Sequence, residues 1–270
     1  MTTLWKAAVI AGHIAVLASS CPAEATEYVD IGLHRRVLMS DTIVVARVAD
    51  PARAQVVVER VLKGNPSKQM TLVDFVDGFA APEHRKALVL GSRELLLLTK
   101  RGDANAPVQT QYGRMAVNGN RLIDGFRAEP RGLSQTIASI ERLVTFQARA
   151  ARGDSEADAA FAAALRTADD ELQLWALWDG KERIKKPSAA LVDALLACWP
   201  KNVGPVYGAW NNAGLVANAV VTWRIQRAAP LFANILTTSR NGDERAWAAM
   251  ALGGWSSTIQ SRVGLLLRAN

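Results

Sequence analysis

The chain has 270 residues, of which 50% are hydrophobic and 21% are charged, and its 32 basic side chains outnumber 25 acidic ones to give a formal net charge of +7. Half of the residues can contribute to cores, which excludes a disordered polyelectrolyte. The 19 Gly and 10 Pro residues are too few for a collagen-like or linker-dominated protein. The length suits two domains of modest size.

The first 25 residues have the features of an export signal. Lys6 supplies a positive charge, an apolar stretch covers residues 7–18, and Ala23-Glu24-Ala25 matches the small-x-small cleavage pattern. The apolar stretch is too short to span a bilayer, so we expect a periplasmic or secreted protein with no transmembrane span in the mature chain. An alternative is a lipoprotein, because the residues before Cys21 loosely resemble the box in which such a cysteine is acylated.

Cysteine and tryptophan positions divide the remaining chain. Cleavage after Ala25 leaves Cys198 as the one cysteine, so no intramolecular disulfide can form and the fold must depend on its apolar core. The seven tryptophans that follow the signal all lie beyond residue 170, whereas residues 26–153 have short runs of Val, Ile and Leu. This contrast predicts two domains of different class.

The first domain is predicted to consist of short antiparallel strands. Runs typical of strands occupy residues 42–49, 54–63, 70–76 and 94–100. In the second run Val56, Val58 and Val61 are expected to face inward. In the fourth run the consecutive leucines Leu95–Leu98 indicate burial on both faces of the sheet.

A further hairpin completes this domain. Asn118-Gly119 stands between two strand-like segments, 108–117 and 121–126, and favours a type I′ turn. Five or more short strands in so short a stretch predict a small barrel, because closure removes exposed sheet edges.

Three segments of this domain carry a family resemblance. Ser40–Val48 is SDTIVVARV, Val56–Gly64 is VVVERVLKG and Leu90–Leu98 is LGSRELLLL. This pattern resembles that of bacterial exported proteins related to the netrin-like domain and the tissue inhibitors of metalloproteinases. The resemblance covers roughly residues 30–126 and implies an OB-type barrel. Those inhibitors chelate the protease zinc through a disulfide-tied N-terminal Cys, whereas this mature chain would begin at Thr26, so the inhibitory chemistry is not implied.

The rest of the sequence predicts helices. Apolar residues recur at helical spacing over residues 133–151, with Ser134 as the candidate cap, and a later helix that begins at residue 169 is expected to end at Gly180. Pro187 and Pro230 lie 43 residues apart at the starts of two helices, a spacing that suits HEAT-like helix pairs.

These observations predict a multi-domain β plus α protein. Its expected parts are a signal peptide over residues 1–25, an OB-like (netrin/TIMP-like) β-barrel over 26–130, a connecting helix over 131–153 and a short α-solenoid of HEAT-like helix pairs over 154–270.

The sequence contains no recognisable catalytic or cofactor motif. It has no H-E-x-x-H, no C-x-x-C pair, no G-x-S-x-G and no phosphate-binding glycine loop. Cys198 lies on the apolar side of a predicted helix, which favours a buried structural thiol over a nucleophile. We therefore expect no enzymatic activity, no cofactor and no metal site, and the export signal argues against a nucleic-acid partner.

The candidate partner-binding residues are basic or aromatic. We name Lys181, Arg183, Lys185 and Lys186 the basic cluster. Trp210, beside Gly and Asn, is one of two tryptophans expected to be exposed, the other being Trp255, and it joins the candidate binding residues. They suggest a non-enzymatic binding or scaffolding module of the bacterial cell envelope, whose partner is an envelope protein or an anionic envelope surface.

Two alternatives remain open at this point. One is a metalloprotease-inhibitor-like protein of altered mechanism. The other is a hydrolase with a site between the domains, which clustering of Asp74, Asp77 and His84 in the fold would favour.

The export signal gives the first testable prediction. The exported form should begin at Thr26, because Ala23-Glu24-Ala25 is the cleavage pattern nearest to the apolar stretch. N-terminal sequencing or intact mass measures this directly. A diacylglycerol-modified Cys21 at the N-terminus would support the lipoprotein alternative instead.

Overall fold

The structure is a computed structural model. It describes residues 32–74, 87–108, 113–123, 131–199 and 212–253, and the described residues all belong to one compact unit that begins at Ile31. The predicted signal peptide and its cleavage site lie outside the described residues, as do Asp77, His84 and Trp210.

One short helix precedes a sheet, and the other described helices follow it, which confirms the mixed β plus α class. The described strands are β1 (Thr42–Asp50), β2 (Gln55–Lys63), β3 (Gln69–Thr71), β4 (Arg93–Arg101), β5 (Ala104–Pro107), β6 (Arg114–Asn118), β7 (Arg121–Ile123) and β8 (Arg131–Gly132). The described helices are α1 (Gly32–Met39), α2 (Leu133–Ala150), α3 (Asp154–Leu165), α4 (Asp170–Arg183), α5 (Ala189–Cys198), α6 (Asn212–Thr222), α7 (Ala229–Thr238) and α8 (Gly242–Gly253). Helix α1, which precedes the sheet, has no counterpart among the sequence predictions.

The strands form one antiparallel sheet that curls into a half-barrel. Its order is β3-β2-β1-β4-β6-β7-β8, and β5 also pairs with β4. Strand β4 is therefore central, with β1 on one side and β6 on the other.

The leucines of β4 are buried on both faces, as the sequence predicts. Leu95 and Leu97 belong to the core that faces the helices, and Leu96 and Leu98 belong to a second core on the opposite face. All four have 0% exposure because successive side chains of a strand point to opposite faces and each face is covered.

Strand β2 departs from the predicted alternation. Val56 is buried and Val58 is partly buried, but Val61 is 46% exposed, so its inward placement was wrong. The register with β1 shifts three times, and two of these shifts insert an extra residue into β2, at Glu59 and at Leu62. Each bulge reverses which of the following residues point to the core and which to solvent. As a result Leu62, rather than Val61, packs against the helix-facing core.

The β6–β7 hairpin is present but displaced by one residue. Asn118 pairs with Arg121, so the two loop residues are Gly119 and Asn120. Gly119 has a φ of 59° and Asn120 has no positive φ, which is the pattern of a type II′ turn rather than the predicted type I′.

The turn residue Asn120 also fixes the start of α2. Its carbonyl accepts a hydrogen bond from the Leu133 amide at 2.8 Å, and its side-chain oxygen accepts one from Ser134 Oγ at 3.0 Å. Gly132 is the N-cap residue, so Ser134 is not the predicted cap but lies in the first turn.

Helix α2 connects the sheet to the remaining helices. It contacts β2 and β8 on one side and α1, α3 and α4 on the other. Ile140 and Leu143 are fully buried in a core that continues through Phe161 and Trp175 to Phe232 of α7. The helix-facing side of the sheet and the helical layer therefore share one hydrophobic core.

Helix α4 continues past Gly180, where the sequence predicted its end. A Cβ at this position would lie 3.4 Å from the ring of Phe161, so the glycine permits close packing of α4 against α3. The helix begins at the N-cap Asp169, whose side chain accepts from the Glu171 and Leu172 amides, and it ends before Ile184.

The later helices pack around two of their members. Helix α3 packs against both α4 and α5, and α8 packs against both α6 and α7. The Trp247 ring lies against Gly214, where a Cβ would approach it to 2.9 Å. Within the described ranges, none of the helices combines the length and the apolar character that crossing a membrane requires.

Residues from the segments that carry the family resemblance meet where α1 joins the sheet. Lys63 Nζ donates to the Val37 carbonyl at 2.8 Å, and Asp41 Oδ2 accepts from the Lys100 amide at 2.8 Å. That backbone hydrogen bond lowers the pKa of Asp41, while burial lowers the pKa of Lys63. Gly64 follows with a φ of 81°, and a Cβ there would lie 2.6 Å from the Asp41 carbonyl oxygen.

We expect Gly64→Ala to destabilise the fold more than Gly91→Ala. Both glycines have similar positive φ values, 81° and 77°, but a Cβ at Gly91 meets nothing within 4 Å. The left-handed backbone alone costs alanine about 1 kcal/mol, and the overlap with Asp41 should bring the loss at Gly64 to about 3 kcal/mol. Urea unfolding of both variants measures the difference, and equal losses would show that the close approach at this corner is unimportant.

Candidate functional site

The basic cluster lies at the end of α4 and in the connection to α5. Arg183 is the last residue of α4, and Lys185 and Lys186 follow it in the connection; all three are exposed, whereas Lys181 is partly buried. Helix α4 ends before Ile184, whose backbone is extended. Pro187 disfavours a helical backbone at the preceding residue, Lys186.

The connection that carries these lysines is held from both sides. The Ile184 side chain is buried, and its carbonyl accepts a hydrogen bond from Trp223 Nε1 at 2.7 Å. Asp158 of α3 accepts from the Ser188 amide at 2.8 Å and also from the Ser188 hydroxyl. The backbone beneath Lys185 and Lys186 is therefore anchored to α3 and to the chain after α6.

Lys181 has an intramolecular role. Its Nζ donates to Asn218 Oδ1 of α6 at 3.0 Å and lies 5.0 Å from the centre of the Trp178 ring. The Arg35 guanidinium of α1 lies 5.1 Å from the same ring. Lys181 thus links α4 to α6, and the other three members of the basic cluster supply its exposed charge.

Those three exposed side chains have no acidic partner within the part of the chain that the structure describes. Lys185 Nζ donates to the Glu182 carbonyl at 3.1 Å, which leaves its charge unneutralised. Many other arginines do pair with carboxylates within 4 Å: Arg47 and Arg93 with Glu59, Arg60 with Glu141, Arg101 with Asp74, Arg114 with Glu94, Arg142 with Asp169, Arg149 with Glu156 and Arg227 with Asp193.

A cleft of about 460 Å³ adjoins the exposed lysines. Its lining comes from the start of α3 and from the α4–α5 connection: Asp154, Ser155, Asp158, Ile184, Lys185, Lys186 and Ser188. Asp158 is engaged with Ser188, so Asp154 and the two lysines are the charges that a bound molecule would meet.

The residues proposed for a hydrolase are only partly described. Asp74 forms an exposed ion pair with Arg101 at 2.6 Å, and its possible neighbours Asp77 and His84 lie outside the described residues. Cys198 is buried, and its Sγ lies 3.1 Å from the Leu165 carbonyl oxygen, which confirms the expected buried thiol. Among the described side chains, no group of three or more His, Cys, Asp or Glu is arranged to hold a metal ion.

A buried polar group between α1 and α4 was not anticipated from the sequence. His34 Nδ1 lies 3.9 Å from Glu171 Oε2, and both side chains are at most 5% exposed. Within the described residues, neither ring nitrogen of His34 has a hydrogen-bond partner. The two residues are 137 positions apart, and no local pattern marks either of them.

A second cleft of about 470 Å³ lies between α2 and the start of α4. Its main charged groups are already bonded to each other: Asp169 Oδ2 accepts from Ser139 at 3.0 Å and from Arg142 at 2.5 Å. This arrangement fixes the N-terminus of α4 rather than presenting free groups to a ligand.

Comparisons with protein-family models, with curated proteins and with solved structures found no match to this chain.

Proposed function

We propose that this chain is a non-enzymatic binding module of the bacterial cell envelope that holds an anionic partner at Arg183, Lys185 and Lys186. The observation that carries the proposal is the combination of three exposed cations, without described acidic partners, on a connection anchored by Asp158 and Trp223. Because the backbone is fixed before binding, little conformational freedom is lost when a partner docks.

We also propose an architecture for the two parts of the chain. The half-barrel and the three segments that resemble netrin-like proteins support an OB-like barrel, and the 43-residue spacing of Pro187 and Pro230 supports a HEAT-like array. In this proposal the barrel stabilises the first part of the helical array, and the array presents the binding surface.

The charge of the helical region is a local feature. Residues 154–270 carry 12 basic and 11 acidic side chains, whereas residues 26–153 carry 19 basic and 13 acidic ones. A long-range field from the helical region is therefore weak, and attraction must come from the cluster itself. Exposed charges of this kind act over about one Debye length, roughly 10 Å at 0.1 M salt.

We expect the triple variant Arg183→Glu, Lys185→Glu and Lys186→Glu to bind anionic targets at least about 10-fold more weakly, since each reversal replaces attraction with repulsion. The mature chain would be tested against vesicles with and without anionic lipid and against an acidic envelope protein, at low and high salt. Vesicle binding and protein binding distinguish the two forms of the anionic partner.

The matched control reverses three other exposed cations, Lys68, Arg121 and Arg240, and so makes the same change in net charge. The control should retain most of the binding. Equal losses in both variants, or full binding by the first, would show that the basic cluster is not the site.

A further inference from the structure

A third cleft, of about 340 Å³, lies beside the end of α1; it shares no lining residue with the cleft at Lys185 and Lys186, although Arg183 of the basic cluster lies at its edge. Its lining comes from α1, α2, α3 and α4: Leu38, Gln147, Ala150, Phe161, Trp175, Asp179, Glu182 and Arg183. The volume is near the lower end of ligand sites, so it suits a small molecule or a single side chain.

Much of this lining is apolar. Ala150, Phe161 and Trp175 are buried, and the Phe161 and Trp175 rings lie 4.6 Å apart. Leu38 is 51% exposed, which is unusual for a leucine at the edge of such a cleft. A ligand with a short hydrocarbon chain would remove this apolar surface from water.

The amide of Gln147 supplies an unused acceptor. Its Nε2 donates to the His34 carbonyl at 3.1 Å, which fixes the orientation of the group. Its Oε1 is buried and accepts no hydrogen bond from the described residues. A buried acceptor without a hydrogen bond carries an uncompensated desolvation cost, so a ligand that donates a hydrogen bond to it gains binding free energy.

Asp179 adds a partly buried carboxyl group to the same cleft. Burial raises its pKa, and nearby Glu182 raises it further. Charge interactions with His34 and Arg35 and a hydrogen bond with Trp175 lower the pKa of Asp179, but they offset only part of the effect of burial. The ionised carboxylate is thus poorly compensated, a condition common at ligand sites.

From this arrangement we infer that the cleft binds a protonated primary amine on a short apolar chain. The ammonium group has three donors and no acceptor, which matches the Asp179 carboxylate together with Gln147 Oε1. The chain would lie against Leu38, the exposed apolar side chain of the lining. An anion is disfavoured, because the two carboxyl groups of Asp179 and Glu182 outnumber the one cation of the lining, Arg183.

The test compares three probes of equal chain length against the mature chain: hexylammonium, hexanol and hexanoate. Calorimetry at pH 7 should give the order hexylammonium, then hexanol, then hexanoate, with at least a 10-fold gap between the first two. Affinity for hexylammonium should fall as the pH is lowered through the raised pKa of Asp179, while hexanol binding stays constant. Equal binding of the amine and the alcohol, or no binding of the amine at 10 mM, would overturn the inference.

A variant identifies the carboxylate. Asp179→Asn should lose at least 10-fold in hexylammonium affinity and keep its hexanol affinity, whereas the control Asp103→Asn, at an exposed turn, should match the unmodified chain. Unchanged amine binding by Asp179→Asn would contradict the proposal, and the pH series on the unmodified chain decides the matter if this variant does not fold. A capped lysine probe then distinguishes the sources: tighter binding than hexylammonium supports a partner's lysine, and weaker binding supports a free amine.

Discussion

Burial of β4 on both of its faces is the interaction on which the rest of the structure depends. Leu96 and Leu98 close the core on one face of the half-barrel, while Leu95 and Leu97 join the core that α2 extends to the helices. Because one strand serves both cores, the sheet cannot lose its register without exposing apolar surface on each side. The one cysteine among the described residues, Cys198, is a buried thiol, so no disulfide joins the described parts and packing and hydrogen bonds hold them together.

Packing in the helical layer fixes the positions of surface residues. Helix α4 packs next to Phe161 in the core. The basic cluster lies at its end and in the connection that follows, which Asp158 of α3 and Trp223 hold in place by hydrogen bonds. The same helix contributes Asp179 to the third cleft, the one proposed to bind an amine, and Asp179 lies one turn before Arg183. Both proposed sites therefore depend on the position of α4, although the ligands proposed for them have opposite charges.

Prediction from the sequence succeeds for elements that a local pattern of residues determines. It fails where contacts with residues far along the chain determine the structure. The leucine run of β4 and the period of α2 are found as expected, since strand and helix periodicity follow directly from burial. Val61 is misplaced because bulges in β2 break the alternation, and Gly180 does not end α4 because it faces Phe161 of another helix. The amine cleft combines residues of four helices, so no spacing in the sequence marks it.

The sheet and the helices share one core, so we expect them to unfold together. Tryptophan fluorescence reports on the helices, because Trp175, Trp178 and Trp247 lie in them, and amide hydrogen exchange at Val44 and Leu96 reports on the sheet. In a urea titration of the mature chain, we expect both probes to give the same midpoint and the same free energy of unfolding. Two separated transitions, with the sheet and the helices unfolding independently, would contradict it.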